Sequence, residues 1–131
     1  MTDQELAALA VSSMERAYCP YSRFPVGAAL ECASGAVYTG CNVESAAYGS
    51  TICAERTALV KAVSEGERSF VRLAVAGQSE DCCWPCGACR QMLYEFAPQL
   101  RVLAVRRDGS YEEAALDGLL PHGFGAAHLG K

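Results

Sequence analysis

Cys53-Ala54-Glu55 and Pro85-Cys86-Gly87-Ala88-Cys89 constrain this chain more than any other feature, because they set three thiols and a carboxylate at the starts of two predicted helices. Cys86 and Cys89 lie three residues apart just after a proline, so their sulfurs share one helical face. Proline is favoured in a first helical turn, where its missing N–H would have no partner. Cys53 holds the matching place in the preceding helix. A fold that brings the two helix starts together aims two partial positive charges at three thiolates and depresses their pKa values. Zinc then completes the neutralisation, and three protein ligands leave its fourth tetrahedral position open, as catalytic sites do. Glu55, two residues from Cys53, diverges from it around the helix and is expected to overhang the site as a proton carrier. Arg56 is expected to donate to a cysteine sulfur. Three thiolates on Zn²⁺ leave a net charge of −1, and a cation beside them offsets it.

Two other uses of these cysteines stay open at this point. Cys86-Gly-Ala-Cys89 after Trp84-Pro85 also fits a dithiol redox pair at a helix start, although that leaves Cys53 and Glu55 without a role. Cys82 and Cys83 sit just upstream, and either as a fourth ligand would close the site into a structural one. Cys19, Cys32 and Cys41 read as ordinary buried thiols. His122 and His128 fall in the C-terminal tail and read as solvated surface residues.

A chain of 131 residues suits one domain and is too short for two. Hydrophobic residues make up 51% and charged residues only 20%, which argues against disorder and for surface buried between subunits. The net charge of −4 gives no electrostatic reason to bind a polyanion, so no nucleic-acid partner is expected. Met1-Thr2-Asp3-Gln4-Glu5 leads into no long apolar run, so neither a secretory signal nor a membrane span is expected, and the location read is cytoplasmic. In a reducing compartment, eight cysteines favour metal binding over a disulfide framework.

Thr2-x-x-Glu5 is a capping box, and Leu6, Leu9, Ala10, Met14 and Ala17 at helical spacing predict a first helix to about Tyr18. Val26–Cys32 and Ala36–Cys41, joined through Ser34-Gly35, predict a β-hairpin. Ser50 or Thr51 is expected to cap a helix with body Ala54–Val63, with Ile52, Leu59 and Val63 on one side, ended by Gly66. A strand at Phe70–Ala76, a helix at Cys86–Phe96 stopped by Pro98, and a strand at Arg101–Arg106 follow. Their alternation implies parallel pairing. A short strand near Tyr111 and a helix over about Ala115–Leu120 complete an α/β mixed sheet covered by helices.

The chain resembles the small, homotetrameric type of cytidine deaminase in five stretches that span nearly its whole length. They are Tyr21-Ser-Arg-Phe-Pro-Val-Gly-Ala-Ala29, Gly40-Cys-Asn-Val-Glu44, Thr51-Ile-Cys-Ala-Glu-Arg-Thr-Ala58, Pro85-Cys-Gly-Ala-Cys-Arg-Gln91 and Leu119-Leu-Pro-x-x-Phe-Gly125. The resemblance implies a single domain over 1–131, a three-layer α/β/α sandwich around a five-stranded mixed sheet, with one zinc per subunit on Cys53, Cys86 and Cys89. Zinc over iron rests on this resemblance together with ligand softness. It implies that Asn42-Val43-Glu44 binds the ribose, that Phe24 lines the base pocket, and that the Ala54 N–H meets the pyrimidine carbonyl. Phe124 would reach a neighbouring subunit's pocket, and Tyr48 would contribute across that interface. The chain departs from the family pattern at Ser45 and Ala126, where Asn and Pro are common. The implied reaction is hydrolytic deamination of cytidine and deoxycytidine for pyrimidine salvage, by attack at C4 with Glu55 carrying the proton. Rival readings are a deaminase of another aminopyrimidine nucleoside, such as a cytosine-containing antibiotic, and a non-catalytic zinc-stabilised assembly protein.

Overall fold

A computed structural model describes residues 1–131. Helix α1 spans Asp3–Ser13 and is started by the expected capping box, with the Thr2 hydroxyl accepting from the Glu5 amide at 3.1 Å and the Glu5 carboxylate accepting from the Thr2 amide at 2.8 Å. It ends earlier than its periodicity predicts. Met14–Arg16 tighten into a 3-10 turn, and Tyr18 already pairs with Val43 as a β-bridge.

Strands β1 (Val26–Cys32) and β2 (Val37–Cys41) form the hairpin, turning at Gly35 with φ of +94°. Helix α2 (Ala54–Ser64) leads to β3 (Phe70–Gly77), and α3 (Gly87–Phe96) leads to β4 (Arg101–Val105). Strand β5 (Tyr111–Ala115) and the short α4 (Leu116–Leu119) follow. The sheet order is β2-β1-β3-β4-β5. Only β3 and β4 pair in parallel; β1 is antiparallel to both β2 and β3. Strands β2 and β3 do run the same way, as their connection through α2 implies, but β1 lies between them and makes the sheet mixed.

Helix α1 covers one face, where Leu6, Ala7 and Ala10 meet Ala29, Ala74, Leu103 and Val105. Helices α2, α3 and α4 cover the other, where Ala58, Leu59, Leu93 and Leu116 meet Ala28, Leu30, Leu73 and Val102. The result is the three-layer α/β/α arrangement. Ile52 does not join the Leu59 side, because it precedes α2 and stays exposed. At the start of α1, Arg72 is buried between Glu31 at 2.7 Å and Asp3 at 2.6 Å, and Asp3 also pairs with Arg101. This network ties the N-terminus to the entry end of β3 and β4. The opposite end, where β2 and β3 finish and α2 and α3 begin, is where ligands bind in sheets of same-direction strands.

Small residues set the height of α2 above the sheet. A Cβ on Gly40 would fall 2.5 Å from the Ala54 carbonyl oxygen and 2.6 Å from the Ala58 amide nitrogen, both backbone atoms that cannot rotate away. Gly40→Ala should therefore push the first turn of α2 off β2. The expected loss is about 1–3 kcal/mol of stability, read as a lower denaturation midpoint, together with weaker zinc retention because Cys53 adjoins that turn.

Candidate metal centre and substrate site

Helices usually begin with an oxygen-bearing side chain that accepts from the first free amides. Here Cys53 is the N-cap of α2 and Cys86 the N-cap of α3, and neither side chain makes a capping bond. The expected caps Ser50 and Thr51 lie outside the helix. Ser50 belongs to a 3-10 turn, and the Thr51 hydroxyl accepts from the Ser45 amide at 3.2 Å. Pro85 likewise precedes the cap rather than occupying the first helical turn, and is fully buried. Both helix starts thus present unpaired amides and their partial positive charge to sulfur.

The three sulfurs converge. Cys53 and Cys86 are 3.9 Å apart, Cys86 and Cys89 are 3.4 Å apart, and all three lie within 4.8 Å of one another. A tetrahedral zinc with bonds of about 2.3 Å places its thiolates about 3.8 Å apart. The three-thiol donor set therefore fits Zn²⁺. Cys82 and Cys83 do not enter this cluster. Cys82 faces the Glu112 carboxylate at 3.5 Å, and burial, then the charge of Glu55, pushes the Cys83 thiol up to about 12. Cys83 is instead a neutral wall, placed so that a Cβ on Gly77 would meet both its sulfur and the Phe24 ring. Cys32 is buried as expected, whereas Cys19 and Cys41 are half-buried.

Electrostatics at the cluster follow from its neighbours. The hydrogen bond with Cys89, and then that with Arg56, draws the Cys53 thiol down to about 5; the same bond and burial push Cys89 up. Arg56 donates through Nη2 to the Cys53 sulfur at 3.5 Å, as its spacing predicts, while its buried Nε has no partner. Glu55 is only 4% exposed, and this desolvation, with the Cys53 charge adding to it, raises its carboxyl to about 7. A carboxyl poised near neutrality can both accept and return a proton.

The residues expected around a substrate surround this centre unevenly. The Phe24 side chain is 39% exposed and rests against Gly77 and Cys83. Val43 exchanges backbone hydrogen bonds with Ile52 at 2.9 and 3.0 Å, which pins the residue next to Cys53. Asn42 is buried, with Oδ1 accepting from the Val26 amide and Nδ2 donating to the Phe24 carbonyl, each at 2.9 Å. Glu44 accepts from the Tyr21 and Ser22 amides at 3.0 Å. Bonds from the Ser22 hydroxyl and amide hold its carboxylate below the usual range. Tyr48 meets Tyr21 edge-on at 5.8 Å. A cavity of about 360 Å³ lies among Tyr21, Ser22, Glu44, Ser45, Tyr48 and Thr51 and shares no residue with the sulfur cluster. Phe124 is 54% exposed and stacks on His128, with its carbonyl held by Gln91 of α3 at 2.7 Å. Arg90 holds the chain entering α3 through the Pro85 carbonyl at 2.7 Å and reaches the Leu119 carbonyl at 2.8 Å. No signal in the sequence points to these bonds of Arg90 and Gln91, although both residues continue the Pro85–Cys89 motif, and Cys83 is offered there only as a fourth ligand, which the sulfur cluster does not include.

Residues 1–105 match the family profile of the cytidine and deoxycytidylate deaminase zinc-binding region. The chain is 47% identical over 130 residues to a cytidine deaminase of Sporosarcina psychrophila, covering 98% of this chain and 96% of that protein. It is also 47% identical over 121 residues to a probable cytidine deaminase of Dictyostelium discoideum, covering 92% and 82%. The fold superimposes on the crystal structure of cytidine deaminase from Burkholderia pseudomallei with a TM-score of 0.91 and 44% identity, covering 95% of this chain and all of that one. The Mycobacterium tuberculosis cytidine deaminase structure gives 0.84 at 36% identity, covering 95% and 99%.

The burial of Glu55 carries a stability signature. Its folded pKa of about 7 exceeds the ordinary 4.5, so the folded chain holds this proton more tightly than the unfolded one. Below pH 4.5 both states are protonated and nothing is gained or lost. Between pH 4.5 and 7 the unfolded chain has lost this proton while the folded chain still holds it, so stability falls across that window and levels off above it, where the folded state holds a buried carboxylate. Glu55→Gln removes the penalty. In chelator-treated protein the variant should match the parent near pH 4 and exceed it at pH 8, by about 3 kcal/mol at most, as read from denaturant titrations at the two pH values.

Proposed function

This chain belongs to the cytidine and deoxycytidylate deaminase family, and from that membership we propose that it deaminates cytidine and deoxycytidine hydrolytically, releasing ammonia and leaving uridine or deoxyuridine. The observation that carries the reading is a buried carboxyl, raised to about 7, packed beside three converging cysteine sulfurs. Cys53, Cys86 and Cys89 hold one Zn²⁺. When bound, the metal would supply the Lewis acidity that makes a water nucleophilic near neutral pH. Glu55 accepts the proton of the attacking water, protonates N3 of the base, and then carries a proton to the amino group leaving C4. One water is consumed and one ammonia released.

The other residues bind and orient. Ala54 is the first residue of α2, so its amide has no intrahelical acceptor and meets the pyrimidine carbonyl. Phe24 flanks the base. The segment Asn42-Val43-Glu44 supplies the sugar site. Glu44 uses three of its roughly four lone-pair positions within the chain, which leaves one for a ribose hydroxyl. The whole chain forms one catalytic domain. Tyr48, Phe124 and Leu129 are all more than half exposed, which supports a homotetramer in which a neighbour covers them and Phe124 completes an adjoining pocket. No helix is long and apolar enough to cross a membrane. We place the enzyme in the cytoplasm, serving pyrimidine salvage.

Ammonia release from cytidine by the zinc-replete protein tests the reading. Glu55→Gln should keep one zinc per chain and lose about 10²–10⁴-fold in turnover; near-normal turnover in that variant would remove Glu55 from the role of proton carrier. Arg56→Gln should leave zinc in place and move the pH–rate profile to higher pH, since a cation that offsets the thiolate charge is lost. An unchanged profile would leave Arg56 a purely structural contact.

A further inference from the structure

The loop that carries Phe24 has no regular secondary structure of its own, and Arg23 within it has φ of +58°. That left-handed conformation is uncommon for a residue with a β-carbon and persists where surrounding bonds impose it. Those bonds form a connected set. The Ser22 hydroxyl donates to the Glu44 carboxylate and accepts from the Phe24 amide at 3.1 Å. The Ser22 amide donates to Glu44 at 3.0 Å, and the Arg23 amide reaches back to the Cys19 carbonyl at 2.9 Å. On the far side of the same residue, the Phe24 carbonyl accepts from Asn42.

We propose that Ser22 is a positioning residue for the base pocket: its hydroxyl links the Glu44 carboxylate to the Phe24 amide and so locks the ring of Phe24 in its place against Gly77 and Cys83. The inference rests on the reading of Phe24 as a wall of that pocket. A hydroxyl has one proton to give and lone pairs to receive, so one group can join a carboxylate to an N–H; neither Ala nor Cys does this equally well. The lock also joins two subsites. Glu44 and Asn42, which supply the sugar site, hold both polar ends of the Phe24 peptide, Glu44 through Ser22 and Asn42 directly. Ordering of the sugar site and of the base wall is therefore a single event, and Ser22 acts on the base without touching it.

The zinc-loaded protein and its Ser22→Ala and Ser22→Thr variants test this through cytidine kinetics and amide hydrogen exchange. Ser22→Ala should raise KM for cytidine about tenfold, the loss of one hydrogen bond to a charged group, with kcat within about twofold because Glu55 and the sulfurs are untouched. Exchange at the Tyr21–Phe24 amides should quicken in the same variant. Ser22→Thr keeps the hydroxyl and should restore both. An unchanged KM, or exchange in Ser22→Ala equal to that of the parent, would overturn the proposal; a raised KM with unchanged exchange would make Ser22 a direct substrate contact instead. Failure of the parent protein itself on cytidine would remove the proposed function, and the exchange result alone would then decide whether Ser22 locks the loop.

Discussion

Everything at the functional end of this protein depends on two helix starts meeting at three sulfurs. A helix start offers free amides and a partial positive charge, and a pair of them side by side repels unless something negative lies between. Cys53, Cys86 and Cys89 supply that negative charge, and a divalent cation then balances the excess. The approach itself is a packing matter. The Ala54 and Ala58 backbone lies on Gly40 of β2, so the first turn of α2 sits closer to the sheet than any larger residue would allow. The Val43–Ile52 bridge fixes the chain just before Cys53, and Arg90 fixes the chain just before Cys86. Cys53 and Cys86 thus each follow a backbone anchor that is independent of the metal.

The electrostatics around the cluster are divided between two opposite effects. The hydrogen bond with Cys89, and then that with Arg56, favours charge on the Cys53 sulfur, whereas burial disfavours it on Glu55. Both groups lie within one helical turn of each other, yet one is held as an anion and the other is kept close to its neutral form. This separation of protonation states is what acid–base chemistry near neutral pH needs. It arises because the Cys53 sulfur is hydrogen-bonded by Cys89 and Arg56, while Glu55 is buried and only 4% exposed.

The metal ligands were legible in the sequence because their spacing follows from helix geometry, and Glu55 and Arg56 follow from the same helix. The cap of α2 was not. Ser50 and Thr51 carry the oxygen that usually marks a helix start, but the N-cap is Cys53, whose sulfur belongs to the cluster, so the usual signal points two or three residues too early. The mixed pairing of β1 was equally hidden, because alternating strands and helices give strand direction but not which strand lies between two others. Asn42 and Glu44 show a third kind of limit. Their roles came from resemblance, and resemblance says nothing of the hydrogen bonds through which they also frame the Tyr21–Phe24 loop. Those bonds are long-range, joining residues more than a dozen positions apart, and no local pattern carries them.

Two halves of the site are therefore built on different physical terms. The metal half stands on helices and on backbone contacts too close to yield, so its geometry is set by the core. The substrate half stands on an irregular loop held by side-chain hydrogen bonds, with one residue in a left-handed conformation and aromatic side chains open to solvent. Hydrogen-bonded loops open at lower free energy than packed helix starts. On the proposed assignment of the substrate residues, entry and exit of a nucleoside would fall to the loop half, whereas Glu55 and the sulfurs stay on the rigid one. A neighbouring subunit that covered Tyr48 and Phe124 would tighten the soft half without disturbing the sulfurs, and assembly would then act on substrate affinity more than on the proton transfer carried by Glu55.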